Sequence, residues 1–178
     1  MRELLPGIDL QPLPEGYESP VEDGDSFEAN ALIKARAAHA ATGEVVIADD
    51  SGIEAYDLDG APGIYSARYA GEGADDETNL DKLLREVDAA GGDRRAAYVC
   101  VLALIDADGT EHVFEATCGG RLLRERRGNG GFGYDPIFVP DDTGRGDERT
   151  MAELSQAEKN EISHRGRAAR LLAAHLSD

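Results

Sequence analysis

Lysine is scarce in this chain of 178 residues: Lys34, Lys82 and Lys159 stand beside fifteen arginines. All 18 bases face 36 acids, for a formal net charge of −18 at pH 7. So little positive charge excludes an electrostatic footprint for duplex nucleic acid or an anionic membrane. Long apolar runs are lacking as well. No run is long enough to cross a bilayer, and residues 1–5 do not read as a targeting segment. Cysteine is limited to Cys100 and Cys118, both in strand-like runs and without metal-ligand spacing. They read as buried free thiols, which suits a reducing cytoplasm. A P-loop, a Ser–His–Asp or Cys–His arrangement, an internal repeat and a linker are all missing. What is present is enough for one domain over residues 1–178, since 41% of them are hydrophobic and fall in periodic runs.

Residues 6–24 carry four of the seven prolines and read as a loop, with at most a short strand at 8–10. A helix is expected over 26–42, with Asp25 as N-cap, Glu28 three residues on, and Gly43 past its end. Asn30 and Lys34, four apart, share one of its faces. A β-branched strand over 44–48 and a second over 53–58 bracket Asp49-Asp50-Ser51-Gly52. Leu80, Leu83, Leu84 and Val87 give a helix over 76–90 its packing stripe. The apolar run 96–105 turns at Asp108-Gly109 and returns along 111–117 as a hairpin, with further short strands at 120–123 and 137–139. Polar residues 140–150 read as a loop. Helices follow over 155–161 and, capped by Ser163, to about 176.

Three stretches carry chemistry. Asp49 and Asp50 end a strand, and two neighbouring acids repel, so they need solvent or a cation. Hard oxygens of this kind suit Mg²⁺ better than zinc. A solvated acidic turn is the plainer alternative. The segment from Gly128 to Pro136 lets backbone approach a ligand closely, and Phe132 or Tyr134 could stack on a flat ring, or merely pack in the core. Ser163-His164-Arg165-Gly166 opens the last helix and favours an anion or a carbonyl acceptor, with Lys159 just upstream.

Taken in order, the motifs resemble a known family. They are Phe27-x-x-Asn30-Ala31-x-x-Lys34-Ala35, Ala48-Asp49-Asp50-Ser51-Gly52, the run from Gly60 to Arg68, Gly130-Gly131-Phe132-Gly133-Tyr134-Asp135-Pro136, and Ser163-His164-Arg165-Gly166. The chain is thereby similar to the non-canonical purine nucleoside triphosphate pyrophosphatases, over nearly its whole length. The resemblance implies an α/β fold: a long, twisted mixed sheet flanked by helices, in two lobes with a nucleotide cleft between them. It implies a cytoplasmic homodimer that hydrolyses XTP, ITP and dITP to the monophosphate and pyrophosphate with Mg²⁺. Asp50 would be the proton acceptor, with Glu22, Asp49 and Asp50 about the metal. Ser51 would contact substrate, Phe132 would stack on the purine, and Gly133, Tyr134 and Asp135 would complete that wall. Lys159, His164 and Arg165 would supply donors near the base and phosphates.

Two departures qualify the match. The family carries Glu before the Asn of its helix motif, where this chain has Ala29, and Glu28 points elsewhere on the helix. The family also opens with a strand ending in a Ser/Thr-x-Asn-x-x-Lys loop that grips the triphosphate. Met1 stands where the residue after that lysine belongs, so the expectation is a wrongly assigned start that omits strand and loop. Two alternatives stay open: a pyrophosphatase for modified pyrimidine triphosphates, or a catalytically impaired nucleotide-binding remnant.

Overall fold

A computed structural model describes residues 1–144 and 146–177. Helix α1 (Phe27–Thr42) is capped by the Ser26 hydroxyl, which accepts from the Ala29 amide, and it stops at Gly43 in the left-handed region. Ser26 rather than Asp25 is the cap, because its extended backbone aims the hydroxyl at the free amides of the first turn. Strand β1 (Val46–Ala55) joins the two stretches expected to be separate strands, while Tyr56–Leu58, expected to continue the second, is a 3₁₀ turn. Helix α2 (Asp76–Ala90) has its expected bounds, capped by Asp75 and stopped by Gly91. Strands β2 (Arg95–Ile105) and β3 (Glu111–Leu122) form the hairpin, with β3 one continuous strand where two were expected. Strand β4 (Phe138–Pro140) is short. Of the polar stretch 140–150, Asp141–Thr143 is a 3₁₀ turn, and Arg145 lies outside the described residues. Helices α3 (Gln156–Ile162) and α4 (His164–His175) close the chain, each capped by a serine, Ser155 and Ser163.

The fold is α/β, but its sheet differs from the expected mixed one. The four strands lie in the order β1-β2-β3-β4, and every pairing among the described residues is antiparallel. The connections explain this. A short turn after Ile105 forces β2 and β3 antiparallel. The chain also leaves β1 at Ala55 and re-enters β2 opposite it, at Ala96, so the intervening α2 returns it to the same end of the sheet. Residues 8–10 form no strand; nearby Leu5 is instead buried against Leu102, Leu104 and Leu172.

The sheet is covered on both faces. On one, the small residues Ala31, Ala35 and Ala38 of α1 lie against Val99, Val101 and Ala103 of β2. On the other, α4 covers Cys100, Leu102 and Leu104 through Ala168, Ala169 and Leu172. Leu80, Leu83 and Val87 of α2 pack with Ile53, Tyr98 and Phe138 farther along. Leu83 is wholly buried, which stabilises the fold by about 1.5–3 kcal/mol. Among the described residues β1 and β4 are the two edge strands, and β1 carries Asp49-Asp50-Ser51-Gly52.

Candidate active site

Asp49, Asp50, Ser51 and Gly52 sit within β1, paired with Leu102, Val101, Cys100 and Val99 of β2. Successive strand residues point to opposite faces. Asp50 accordingly faces α1, while Asp49 faces α4. The two neighbours that looked like one acidic pair belong to two separate clusters.

On the α1 side, the Lys34 ammonium donates to Asp50 Oδ1 at 2.8 Å and to Glu22 Oε2 at 3.1 Å. Glu22 is brought there by Asn30, whose buried side-chain oxygen accepts from the Gly24 amide at 2.9 Å. A Cβ at Gly24 would lie 2.7 Å from that oxygen, so the close approach needs glycine. The other Asp50 oxygen, Oδ2, is buried and has no hydrogen-bond partner among the described residues. Burial pushes the Asp50 carboxyl above its ordinary range, and this outweighs the Lys34 bond and charge that pull it down. Burial alone would lower the Lys34 ammonium, but its bonds and attraction to Asp50 and Glu22 hold it above its ordinary value.

Glycine at 52 lets the 3₁₀ segment Gly63–Arg68 lie directly on this strand. A Cβ there would sit 2.4 Å from Ser66 Oγ and 2.5 Å from the Gly63 carbonyl. Ser66 Oγ accepts from the Ile53 amide at 2.9 Å and donates to the Gly63 carbonyl at 2.6 Å, which fixes the segment to β1.

On the α4 side, Arg165 donates from Nε and Nη2 to Asp49 Oδ2, at 3.1 and 3.0 Å. Its guanidinium lies 5.3 Å from the centre of the Phe132 ring, and the Lys159 ammonium lies 4.6 Å from the same ring. Two cations therefore converge on one aromatic that is 57% exposed. Lys159 is also ion-paired to buried Asp135. Asp135 accepts from the Phe132 amide at 2.9 Å and from the Tyr98 hydroxyl at 3.2 Å. A side chain on Gly131 would collide with it, at 2.0 Å from Oδ2. His164 is stacked on Tyr98, ring centres 4.7 Å apart and 9° from parallel. Burial, then the charges of Arg165 and Lys159, push the His164 imidazole down to about 3, so it is neutral at pH 7. Its Nδ1 is buried without a partner among the described residues.

Phe132, Asp135, Lys159, His164 and Arg165 are thus brought together, and Glu22 meets Asp50 around Lys34. Asp49 adjoins the first group through Arg165 rather than the second. Ser51 shares the Asp49 face of β1. Gly133 is turned away, donating its amide to Asp76 at 2.8 Å, and Tyr134 is buried with its hydroxyl on the Ser66 carbonyl at 2.8 Å. Sequence reasoning passed over Lys34 and Tyr98. Lys34 had signals in its i,i+4 spacing from Asn30 and its place in the helix motif but was given no role, whereas Tyr98 lay hidden in an apolar strand.

A cavity of about 1020 Å³ follows β1, lined by Ile8, Leu10 and Tyr17 of the first loop, by Lys34, and by Ala48 and Asp49. Glu22 and Asp50 also fit a hard divalent cation, since both offer oxygens and Asp50 Oδ2 has no partner. Mg²⁺ is commonly held by one or two carboxylates together with substrate phosphates.

The chain is also similar to known proteins in sequence and in shape. The model of the Ham1 family matches residues 1–175. A dITP/XTP pyrophosphatase of Corynebacterium diphtheriae is 48% identical over 168 residues, 92% of this chain and 81% of that protein. Another dITP/XTP pyrophosphatase, from Mycolicibacterium paratuberculosis, is 51% identical over 161 residues, 90% of this chain and 77% of that one. The solved structure of a HAM1 protein from Coxiella burnetii superposes with a TM-score of 0.87 at 39% identity, covering 99% of this chain and 90% of the other.

Proposed function

The chain belongs to the Ham1 family, and we propose on that premise that it hydrolyses dITP, XTP and ITP to the monophosphate and pyrophosphate. The observation that carries the reading is Asp50: a carboxylate of raised basicity, with one buried oxygen unpartnered, beside Glu22 and Lys34. Asp50 accepts a proton from water, and the water oxygen bonds to the α-phosphorus. The bond from that phosphorus to the bridging oxygen breaks, and pyrophosphate leaves. Glu22 and Asp50 would hold Mg²⁺, which when bound neutralises phosphate oxygens. Asp49 would join them only by releasing Arg165. Lys34 keeps the two carboxylates together and adds positive charge where the phosphates pass.

The purine stacks on Phe132, in a cleft between the two lobes. Ser51 touches substrate, and Gly133, Tyr134 and Asp135 shape the wall behind the ring. Lys159, His164 and Arg165 present donors toward a 6-oxo group. An adenine 6-amino group leaves those donors unpaired, which supplies selectivity against ATP. We propose the homodimer that the resemblance implies, to be checked by sedimentation. A cytoplasmic location accords with two buried free thiols, each raised to about 12 by burial and so unreactive. Among the described residues no helix is long and apolar enough to cross a membrane.

Hydrolysis in ¹⁸O-water tests the chemistry. Label in the nucleoside monophosphate supports attack at the α-phosphorus, and label in the pyrophosphate contradicts it.

A further inference from the structure

A second cluster of potential ligands lies at the far end of α4. His175 ends that helix, roughly 16 Å along it from His164. Asp106 follows the last residue of β2, and His112 lies one residue into β3, opposite Leu104. His112 and Phe114 alternate onto the face that α4 covers, so strand and helix end meet there. The Asp106 carboxylate is 2.8 Å from His112 Nε2. The His175 ring centre is 4.3 Å from that of His112, at a 47° tilt that is not a stacking geometry.

We propose that Asp106, His112 and His175 bind one divalent transition-metal ion of the zinc class. Two imidazoles and a carboxylate suit Zn²⁺, Ni²⁺ or Cu²⁺, whereas Mg²⁺ prefers all-oxygen shells. The three donor atoms lie within 4.8 Å of one another, the one such group among the described residues. Two ligand bonds of about 2.1 Å at the tetrahedral angle place their ligand atoms about 3.4 Å apart, so closure needs a shift of up to about 1.4 Å. His175, exposed at a helix end, is free to make it. The 2.8 Å contact between Asp106 and His112 is a hydrogen bond that the ion would replace, its proton leaving as the two atoms separate to the edge of about 3.4 Å of a tetrahedral zinc site. Water fills the open positions, because His112 and Asp106 are both only partly buried. The site would staple the hairpin turn to the last helix, and nothing in the proposed hydrolysis uses it.

The test is calorimetric titration of the chelator-stripped chain with ZnCl₂ in millimolar Mg²⁺, which saturates hard-oxygen sites. One Zn²⁺ per chain is expected, with affinity falling about tenfold or more in His175→Ala and in Asp106→Asn. Zinc raises the unfolding midpoint of the parent by about 5 °C and leaves that of His175→Ala unmoved. Co²⁺ gives visible d–d absorption in the parent and loses it in His112→Asn. Absence of zinc binding, or equal affinity and equal midpoint shifts in parent and variants, overturns the proposal.

Discussion

Asp49 and Asp50 are consecutive, yet their carboxylates serve opposite faces of β1: one accepts from Arg165, the other from Lys34. The strand alternation that separates them also gives them different tasks. On the proposed reading Asp50 would take the proton and help hold Mg²⁺, while Asp49 anchors the arginine that lies over Phe132.

Replacing Asp50 by Asn is expected to lower turnover by about 10²–10⁴, the usual worth of a positioned general base. Stability should move differently. The folded carboxyl lies above its unfolded value, so it favours folding only at low pH, and that contribution is lost as pH rises through the folded value. At pH 7 the ionised group opposes folding. Asn keeps an acceptor for Lys34 and removes the charge, so the unfolding midpoint should equal or exceed the parent's. A clearly lower midpoint would contradict this assignment.

Lys34→Gln leaves Glu22 and Asp50 without their shared cation. All three are partly exposed, so screening limits the loss to about 1 kcal/mol, or about 2–4 °C of midpoint in chelator. Millimolar Mg²⁺ should restore more of the variant's midpoint than it adds to the parent's. Equal responses would show that the two carboxylates do not share a divalent ion.

Much of this was legible beforehand. The leucine stripe of α2, the glycine stops at Gly43 and Gly91 and the cap at Ser163 obey local rules, and all are found in place. The run of β1 through Asp49-Asp50-Ser51-Gly52 was not, because polar residues read as a break. They are tolerated within the strand because helices on both sides supply partners, from Lys34 and from Arg165, which lies 116 residues away from Asp49. Strand direction was equally hidden, since local pattern cannot say to which end of the sheet α2 returns the chain.

Phe132→Ala should raise the KM for XTP and dITP by about tenfold, since a base stacked on an aromatic is worth about 1–3 kcal/mol. The ring is more than half exposed, so the unfolding midpoint should hardly change. Phe132→Tyr should restore KM. If the Ala variant keeps the parent's KM, the base does not lie on this ring.

His164 predicts a slope in stability against pH. Its folded value, about 3, lies below the unfolded one, so its contribution is complete above pH 6.5 and is lost as pH falls. Urea unfolding between pH 6 and pH 5 should lose up to about 1.4 kcal/mol per pH unit to this group alone. His164→Asn should flatten the slope by that amount. An unchanged slope would mean that the imidazole is not held neutral.

The central claim is selective release of pyrophosphate from 6-oxopurine triphosphates at the Asp50 site. Pyrophosphate release from XTP, dITP, dTTP and ATP with Mg²⁺, by parent and Asp50→Asn in parallel, tests it most directly. The account predicts release from XTP and dITP well above that from ATP or dTTP, and loss of the activity in the variant. Release from ATP or dTTP as fast as from XTP, or undiminished release by Asp50→Asn, would contradict it.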